Sequence, residues 1–215
     1  EARAVETGAG GKVRCRRDQG ADRRTPVNDG LAARTDGELV ALALGGREAA
    51  FAEIVSRHKQ PLHRLIARII GDDDEALDVL QDVFVAAHGS LRRFDMGRPM
   101  RAWLARIAIN KARDWRRRRA VRRLIWAVLP IEHASDIADD QPAVDTLAAD
   151  REELRQVGAA IATLPANLRE TLVLRAIEGM SQAETAEALG ISEKAVETRL
   201  YRARLRLAAE IDRQR

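Results

Sequence analysis

The chain has 215 residues, 46% hydrophobic and 33% charged, with three Trp, three Phe and one Tyr. So much charge with so few aromatic side chains favours amphipathic helices over a β-sandwich, and no run of about 18 apolar residues offers a membrane-spanning helix. The formal net charge is only +4, but its distribution carries more than its sum. Residues 91–123 hold 13 basic and 2 acidic side chains, whereas 124–153 hold 1 and 8. This pattern predicts a polyanion-binding surface followed by an acidic connector. Of the 37 basic residues 33 are arginine, which suits phosphate and base recognition and is equally what a biased genome would produce. The single cysteine, Cys15, excludes an internal disulfide framework and fits a reducing cytosol. The opening Glu1-Ala2-Arg3 lacks the apolar stretch of a secretory signal.

Residues 1–34 scatter glycines among charges without a hydrophobic period and read as a disordered tail. From Asp36 the pattern becomes helical: Leu39, Leu42 and Ala43, then Phe51, Ile54 and Val55, then Leu62, Leu65, Ile66 and Ile69 recur at three- and four-residue spacing. Gly45-Gly46 and Gly71 punctuate these runs. Asp72-Asp73-Asp74-Glu75 opens the next helix, where carboxylates favour the positive end of the helix dipole. Its apolar stripe reads Ala76, Leu77, Leu80, Phe84, Ala87, Leu91. The loop Asp95-Met96-Gly97-Arg98-Pro99 breaks it, and a long basic helix follows from about Met100 to Arg123. Residues 130–150, with Pro130 and Pro142, look like a linker. Asp150 to Arg215 is helical again, broken at Pro165, Gly179 and Gly190.

The sharpest local geometry lies near the end. Ser181-Gln-Ala-Glu184 forms a capping box, with the serine accepting from the N–H three residues on and Glu184 reaching back. Ala186 and Leu189 face inward, and Gly190 can take the left-handed conformation that ends a helix. Ser192 caps a second helix with an inner stripe of Val196, Leu200, Ala203 and Leu207. Together they make a helix-turn-helix. Its outer face presents Ser192, Lys194, Glu197, Thr198, Tyr201, Arg202 and Arg204, suited to a major groove, with the N-terminal residues reading base edges and arginines gripping phosphate. An ordinary helical hairpin with a solvated face is the plainer alternative.

On the basic helix Leu104, Ile107, Ala108 and Trp115 form one apolar stripe and cations line the rest. The stripe predicts a core-facing side, and the remainder a phosphate-gripping one. Phe94, Trp103 and Asn110 near its start suit unpaired bases, although core burial is the competing fate of both aromatic residues.

The ordered set Phe51-Ala-Glu-Ile-Val, Leu80-Gln-Asp-Val-Phe84, Phe94 with Arg101-Ala-Trp-Leu-Ala-Arg-Ile-Ala-Ile-Asn110, Leu164-Pro-Ala-Asn-Leu-Arg-Glu-Thr-Leu-Val-Leu174 and Glu178-Gly-Met-Ser-Gln-Ala-Glu-Thr-Ala-Glu-Ala-Leu-Gly190 resembles an extracytoplasmic-function (ECF) sigma factor over about residues 36–212. The resemblance implies an all-α chain: a region 2-like domain over 36–120, a flexible acidic linker over 121–150 and a region 4-like helix-turn-helix domain over 151–212. It also implies a cytoplasmic promoter-specificity subunit of bacterial RNA polymerase, with core polymerase, promoter DNA and an anti-sigma factor as partners and no membrane insertion. Asp74, Asp78, Gln81, Asp82 and Phe84 occupy positions matching the family's polymerase-clamp helix. Phe94, Arg98, Trp103, Arg106, Asn110, Lys111 and Arg113 fall where the family handles the minus-ten element. The helix from Ser192 falls where it reads the minus-thirty-five element. Glu197 departs from the basic or polar base reader of many members and can accept from cytosine N4.

No enzyme is expected. The histidines His58, His63, His88 and His133 do not pair with Cys15 at metal-ligand spacing, and no glycine-rich phosphate loop is present, so neither cofactor nor metal is called for. A sigma-like decoy that only sequesters an anti-sigma factor need not keep the basic helix or the recognition arginines. A stand-alone helix-turn-helix regulator leaves 36–120 unexplained. The acidic linker, with Asp136, Asp139, Asp140, Asp145 and Asp150, reads either as a soluble tether or as a nucleic-acid mimic competing with the basic helix.

Overall fold

The computed structural model describes residues 30–128 and 148–214, with the side chains of 123–128, 148–155 and 214 outside the description. Helix α1 (Asp36–Leu44) begins at Thr35, whose hydroxyl accepts from the Glu38 N–H at 3.3 Å while the Glu38 carboxylate takes the Thr35 N–H at 2.8 Å. Helix α2 (Glu48–Ile70) runs through Pro61 and stops at Gly71, whose φ of 76° is left-handed. Helix α3 (Asp73–Ser90) starts on Asp72, whose carboxylate accepts from the Glu75 N–H at 3.0 Å. After a 3-10 turn at Leu91–Arg93 comes α4 (Met100–Val128). The second half comprises α5 (Ala148–Thr163), α6 (Ala166–Leu172) with a π turn at Val173–Ile177, α7 (Gln182–Leu189) and α8 (Glu193–Gln214). No strand occurs among the described residues, so the expected all-α class holds.

Several boundaries differ from the sequence reading. The described chain begins inside the expected tail: Leu31 is buried, because the Arg57 guanidinium donates to the carbonyls of Leu31, Ala32 and Arg34 at 2.8–2.9 Å and folds the segment onto α2. Helix α4 extends past Arg123 to Val128. Helix α5 begins at Ala148, within the expected linker. The linker aspartates Asp136, Asp139, Asp140 and Asp145 lie outside the described residues. On α3 the buried stripe is Ala76, Val79, Val83 and Ala87. Leu77, one position past Ala76 and so about 100° around the helix, points outward instead.

Helices α1–α4 enclose Leu39, Val40, Ile54, Ile66, Val83, Leu104 and Ala108, all at most 1% exposed. This core does not stop at the linker. Leu164, Leu168, Leu172, Leu174 and Met180 join the same continuous cluster, with α7 packed on α4 and α5 on α2. The two halves are therefore docked on each other, an arrangement the sequence did not predict.

A buried cation sits at the junction. Arg169 is 4% exposed and donates to the carbonyls of Ile69 (2.8 Å), Ile161 (3.1 Å), Leu164 (2.9 Å) and Ala162. These carbonyls lie at the C-terminal ends of α2 and α5, Leu164 just past the last residue of α5, and form the negative ends of two helix dipoles. Burial, and then the neighbouring Arg116 charge, lower the Arg169 pKa to about 10. Beside it the Glu170 carboxylate, 1% exposed, accepts from Arg113 of α4 at 2.8 and 2.5 Å. That pairing raises the Arg113 pKa.

Candidate nucleic-acid interface

The helix-turn-helix is built as its residues dictate. The Ser181 hydroxyl accepts from the Glu184 N–H at 3.1 Å and the Glu184 carboxylate accepts from the Ser181 N–H at 2.7 Å. Gly190, with φ 66°, ends α7, and the Ser192 hydroxyl accepts from the Ala195 N–H at 3.2 Å to start α8. Ala186 and Val196 are buried between the helices, and Ala203 continues the inner stripe. The backbone N–H and then the hydroxyl of Ser181 hold the Glu184 carboxyl below its ordinary 4.5. A lowered folded pKa supplies stability that is present above the ordinary value and is lost as pH falls through the folded value. Ser181→Ala should therefore cost about 1 kcal/mol in a urea melt at neutral pH, and the difference from the parent chain should shrink below pH 4.5. An equal loss at both pH values would show that the hydroxyl acts only on the Glu184 N–H and not on the titrating carboxylate, and no loss at either would remove the capping box.

On the outer face of α8, Ser192, Lys194, Glu197, Thr198, Tyr201, Arg202 and Arg204 are all exposed. Lys194 and Glu197 pair at 3.1 Å. Such an exposed pair is worth little and both groups remain available to a ligand.

A second feature lies where the 3-10 turn meets α4. Ser90, Phe94, Arg98, Trp103, Arg106 and Asn110 border a 400 Å³ hollow. The Asp95 carboxylate accepts from the Gly97 N–H at 2.9 Å and shapes the loop at its mouth. Phe94 is 8% exposed and serves mainly as core, its ring 5.1 Å from Trp103 and inclined by 55°, while Trp103 is half-buried at the hollow's wall. Five of the seven residues expected at the minus-ten element thus gather here. Lys111 and Arg113 do not: Arg113 turns to a separate open groove with Arg116 and Arg117, where it meets Glu170.

The third surface is α3. Asp74, Asp78, Gln81 and Asp82 are exposed along one face, but Phe84 is half-buried against the core, so it does not stand with them. The sequence reading missed Leu77, between the acids, and Val85, one turn past Asp82, which are 51% and 73% exposed. They share that face because 74, 77, 78, 81, 82 and 85 follow helical spacing. Next to it Trp115 donates to Glu75 at 2.8 Å and Arg119 pairs with Asp72 at 3.0 Å, fixing α4 to the start of α3. The Asp72 pKa is lowered, first by the Glu75 N–H and also by Arg119.

The reading also missed Glu187 of α7, which lines the hollow and meets Arg98 at 3.2 Å, and Glu178, which meets Arg68 at 3.3 Å. The signal available for Arg169-Glu170 was a charged pair placed between Leu168 and Leu172 in a helical apolar stripe. Among the described residues no group of three or more His, Cys, Asp or Glu is placed to hold a metal ion, and no helix is long and apolar enough to cross a membrane.

Among the described residues an exposed helix-turn-helix face and an aromatic, cation-rimmed hollow lie on one all-helical fold. Comparison with known proteins is specific: residues 54–122 match the Sigma-70 region 2 family and residues 154–207 match Sigma-70, region 4. The RNA polymerase sigma factor CnrH of Cupriavidus metallidurans is 43% identical over 178 residues, covering 81% of this chain and 93% of CnrH. The ECF RNA polymerase sigma factor SigM of Mycobacterium tuberculosis is 35% identical over 175 residues, covering 81% and 84%. The solved structure of CnrH in complex with the cytosolic domain of CnrY covers 84% of this chain and 99% of that one, at 37% identity and a TM-score of 0.63. The chain belongs to the ECF RNA polymerase sigma factors.

Proposed function

We propose that the chain binds core RNA polymerase through α3, reads the minus-thirty-five element with α8 and holds an unpaired minus-ten base in the hollow at the start of α4, so promoting strand opening. The observation that carries this reading is the hollow itself. An aromatic wall (Trp103), a hydrogen-bonding amide (Asn110) and a cationic rim (Arg98, Arg106) meet around a 400 Å³ space, which is the chemistry a flipped base with its flanking phosphates requires. Lys111, outside the hollow, and Arg113, once released from Glu170, add phosphate contacts along α4. The direct test is whether the purified chain lets core polymerase initiate from a promoter library; no initiation on any member would remove the reading.

In this role the chain supplies binding energy and no catalytic chemistry of its own, and it works in the cytoplasm alongside polymerase. The form in which CnrH was solved, joined to a second protein, supports an inhibitory anti-sigma partner here as well. The chain's basic helix and exposed recognition face favour this function over that of a decoy that never meets DNA.

Recognition by α8 makes a sharp prediction. Arg202→Ala should weaken promoter binding, and Glu197→Lys should change base preference at one position of the upstream element, since a good bidentate base contact carries about 1–3 kcal/mol of discrimination. Transcription on a library randomised at that element reads both effects. Unaltered preference and unaltered output in both variants would take this helix out of the groove.

A further inference from the structure

The helix-turn-helix carries a polar contact that its caps and apolar stripe do not require. Gln182, the first residue of α7, is half-buried, and its side-chain amide donates to the carbonyl of Glu193 at 3.0 Å. The acceptor is a carbonyl, so the group that faces it is the amide nitrogen. Glu193 is the first residue of α8, and its carbonyl has a second lone pair left for the helix ladder. One side chain therefore ties the start of α7 to the start of α8. Candidate base readers follow at once: Lys194 is the next residue, and Glu197, paired with it at 3.1 Å, stands one turn beyond Glu193. The Thr198 hydroxyl donates to the Lys194 carbonyl at 3.0 Å within the same stretch.

We propose that Gln182 is a positioning residue for base recognition: it fixes the angle at which the first turn of α8 enters the major groove, and so sets how sharply Glu197 discriminates between bases. The inference rests on the assignment of α8 to the minus-thirty-five element. Behind its first turn α8 is held to α7 by apolar burial, with Val196 and Ala186 between the helices. Such a contact is non-directional and leaves the helix free to swing about it. A hydrogen bond weakens steeply as its angle departs from linear. Placed about 4.5 Å ahead of Val196 at the helical rise, the Gln182 bond removes that swing at the end of α8 where the bases are read. Base-edge contacts carry the sequence information and depend on this aim, whereas contacts to phosphate position the protein without reading sequence. Loss of the bond should therefore appear in base preference and not as an even loss across all sequences.

The test uses holoenzyme carrying each variant and transcription from a promoter library randomised at the minus-thirty-five element, which reads base preference and total output separately. Gln182→Ala should lower the preference at the position that Glu197→Ala affects by about threefold, within the range of coupling between neighbouring residues. Gln182→Glu keeps the length of the side chain but offers the Glu193 carbonyl no donor, and it should do the same. In a Glu197→Ala background, Gln182→Ala should change that preference no further, as expected of a residue that acts through Glu197. Parent-like preference in both single variants would overturn the proposal. So would an even fall in output across all sequences, which marks a phosphate contact or lost stability, or an equal further fall in preference in the Glu197→Ala background. Arg202→Ala and Glu197→Ala tell the two ideas apart. If they alter output or preference while both Gln182 variants match the parent, α8 remains the reader and the positioning role falls. If neither alters anything, α8 is not the reader and both fall.

Discussion

Replacing Arg169 with alanine should lower the unfolding free energy by about 3–5 kcal/mol, the scale seen when one partner of a buried charged network is removed. The guanidinium is 4% exposed and satisfies four carbonyls at the ends of α2 and α5. Without it the Ile69, Ala162 and Leu164 carbonyls lose this donor, each with a desolvation cost, while the Ile161 carbonyl keeps the Leu164 N–H at 3.2 Å. The adjacent Glu170 also loses a favourable cationic neighbour. Urea denaturation checks the magnitude, and two further variants identify the cause. Arg169→Met fills most of the volume without donors, so it should recover the cavity part of the alanine loss yet stay less stable than the parent, because the carbonyls still lack a donor. Arg169→Lys restores the charge and some donors and should recover part of the loss, but not all, because a point ammonium cannot span two helix ends as a planar fork does. A methionine variant as stable as the parent would show that the site needs volume and not hydrogen bonds.

The second large effect is expected on α3. Asp82→Arg should abolish binding to core polymerase while leaving the chain folded, since Asp82 is exposed and a charge reversal against a basic partner costs on the order of several kcal/mol. The structure adds a non-electrostatic arm to this test. Leu77 stands between the acids and Val85 one turn past Asp82, at 51% and 73% exposure, and burying an exposed aliphatic side chain at an interface contributes about 1.5–3 kcal/mol. Leu77→Ser/Val85→Ser should therefore weaken core binding by a large factor and, unlike Asp82→Arg, with little dependence on salt. Titration of labelled chain with core polymerase at two salt concentrations reads both. Parent-like affinity in Asp82→Arg would remove α3 from the polymerase interface, and parent-like affinity in the serine pair alone would leave the contact purely electrostatic.

Much of this protein is local and therefore legible in one dimension. The capping box at Ser181 and Glu184, the left-handed Gly190, the Asp72 cap and the inner stripe through Val196 and Ala203 each follow from residue type and spacing over a few positions. They appear in the structure because the backbone groups they satisfy lie within one or two turns. The same holds for the exposed face of α8, which is simply what remains when the apolar stripe turns inward. The α3 stripe was read one position off because Leu77 is apolar, and hydropathy alone does not say that a leucine stands in solvent among acids.

What no local pattern contained was the docking of the two halves. Arg113 reads from sequence as a free phosphate-binding cation, yet its partner Glu170 lies 57 residues away. Arg98 finds Glu187 across 89 residues, and Arg169 finds the Ile69 carbonyl across 100. The sequence determined the helices, their caps, the exposed face of α8 and the kinship with sigma factors. The tertiary structure alone decided which cations are free and which are taken, because the energy of a charge depends on its burial and on what stands opposite, and both are set by chain segments far apart in sequence.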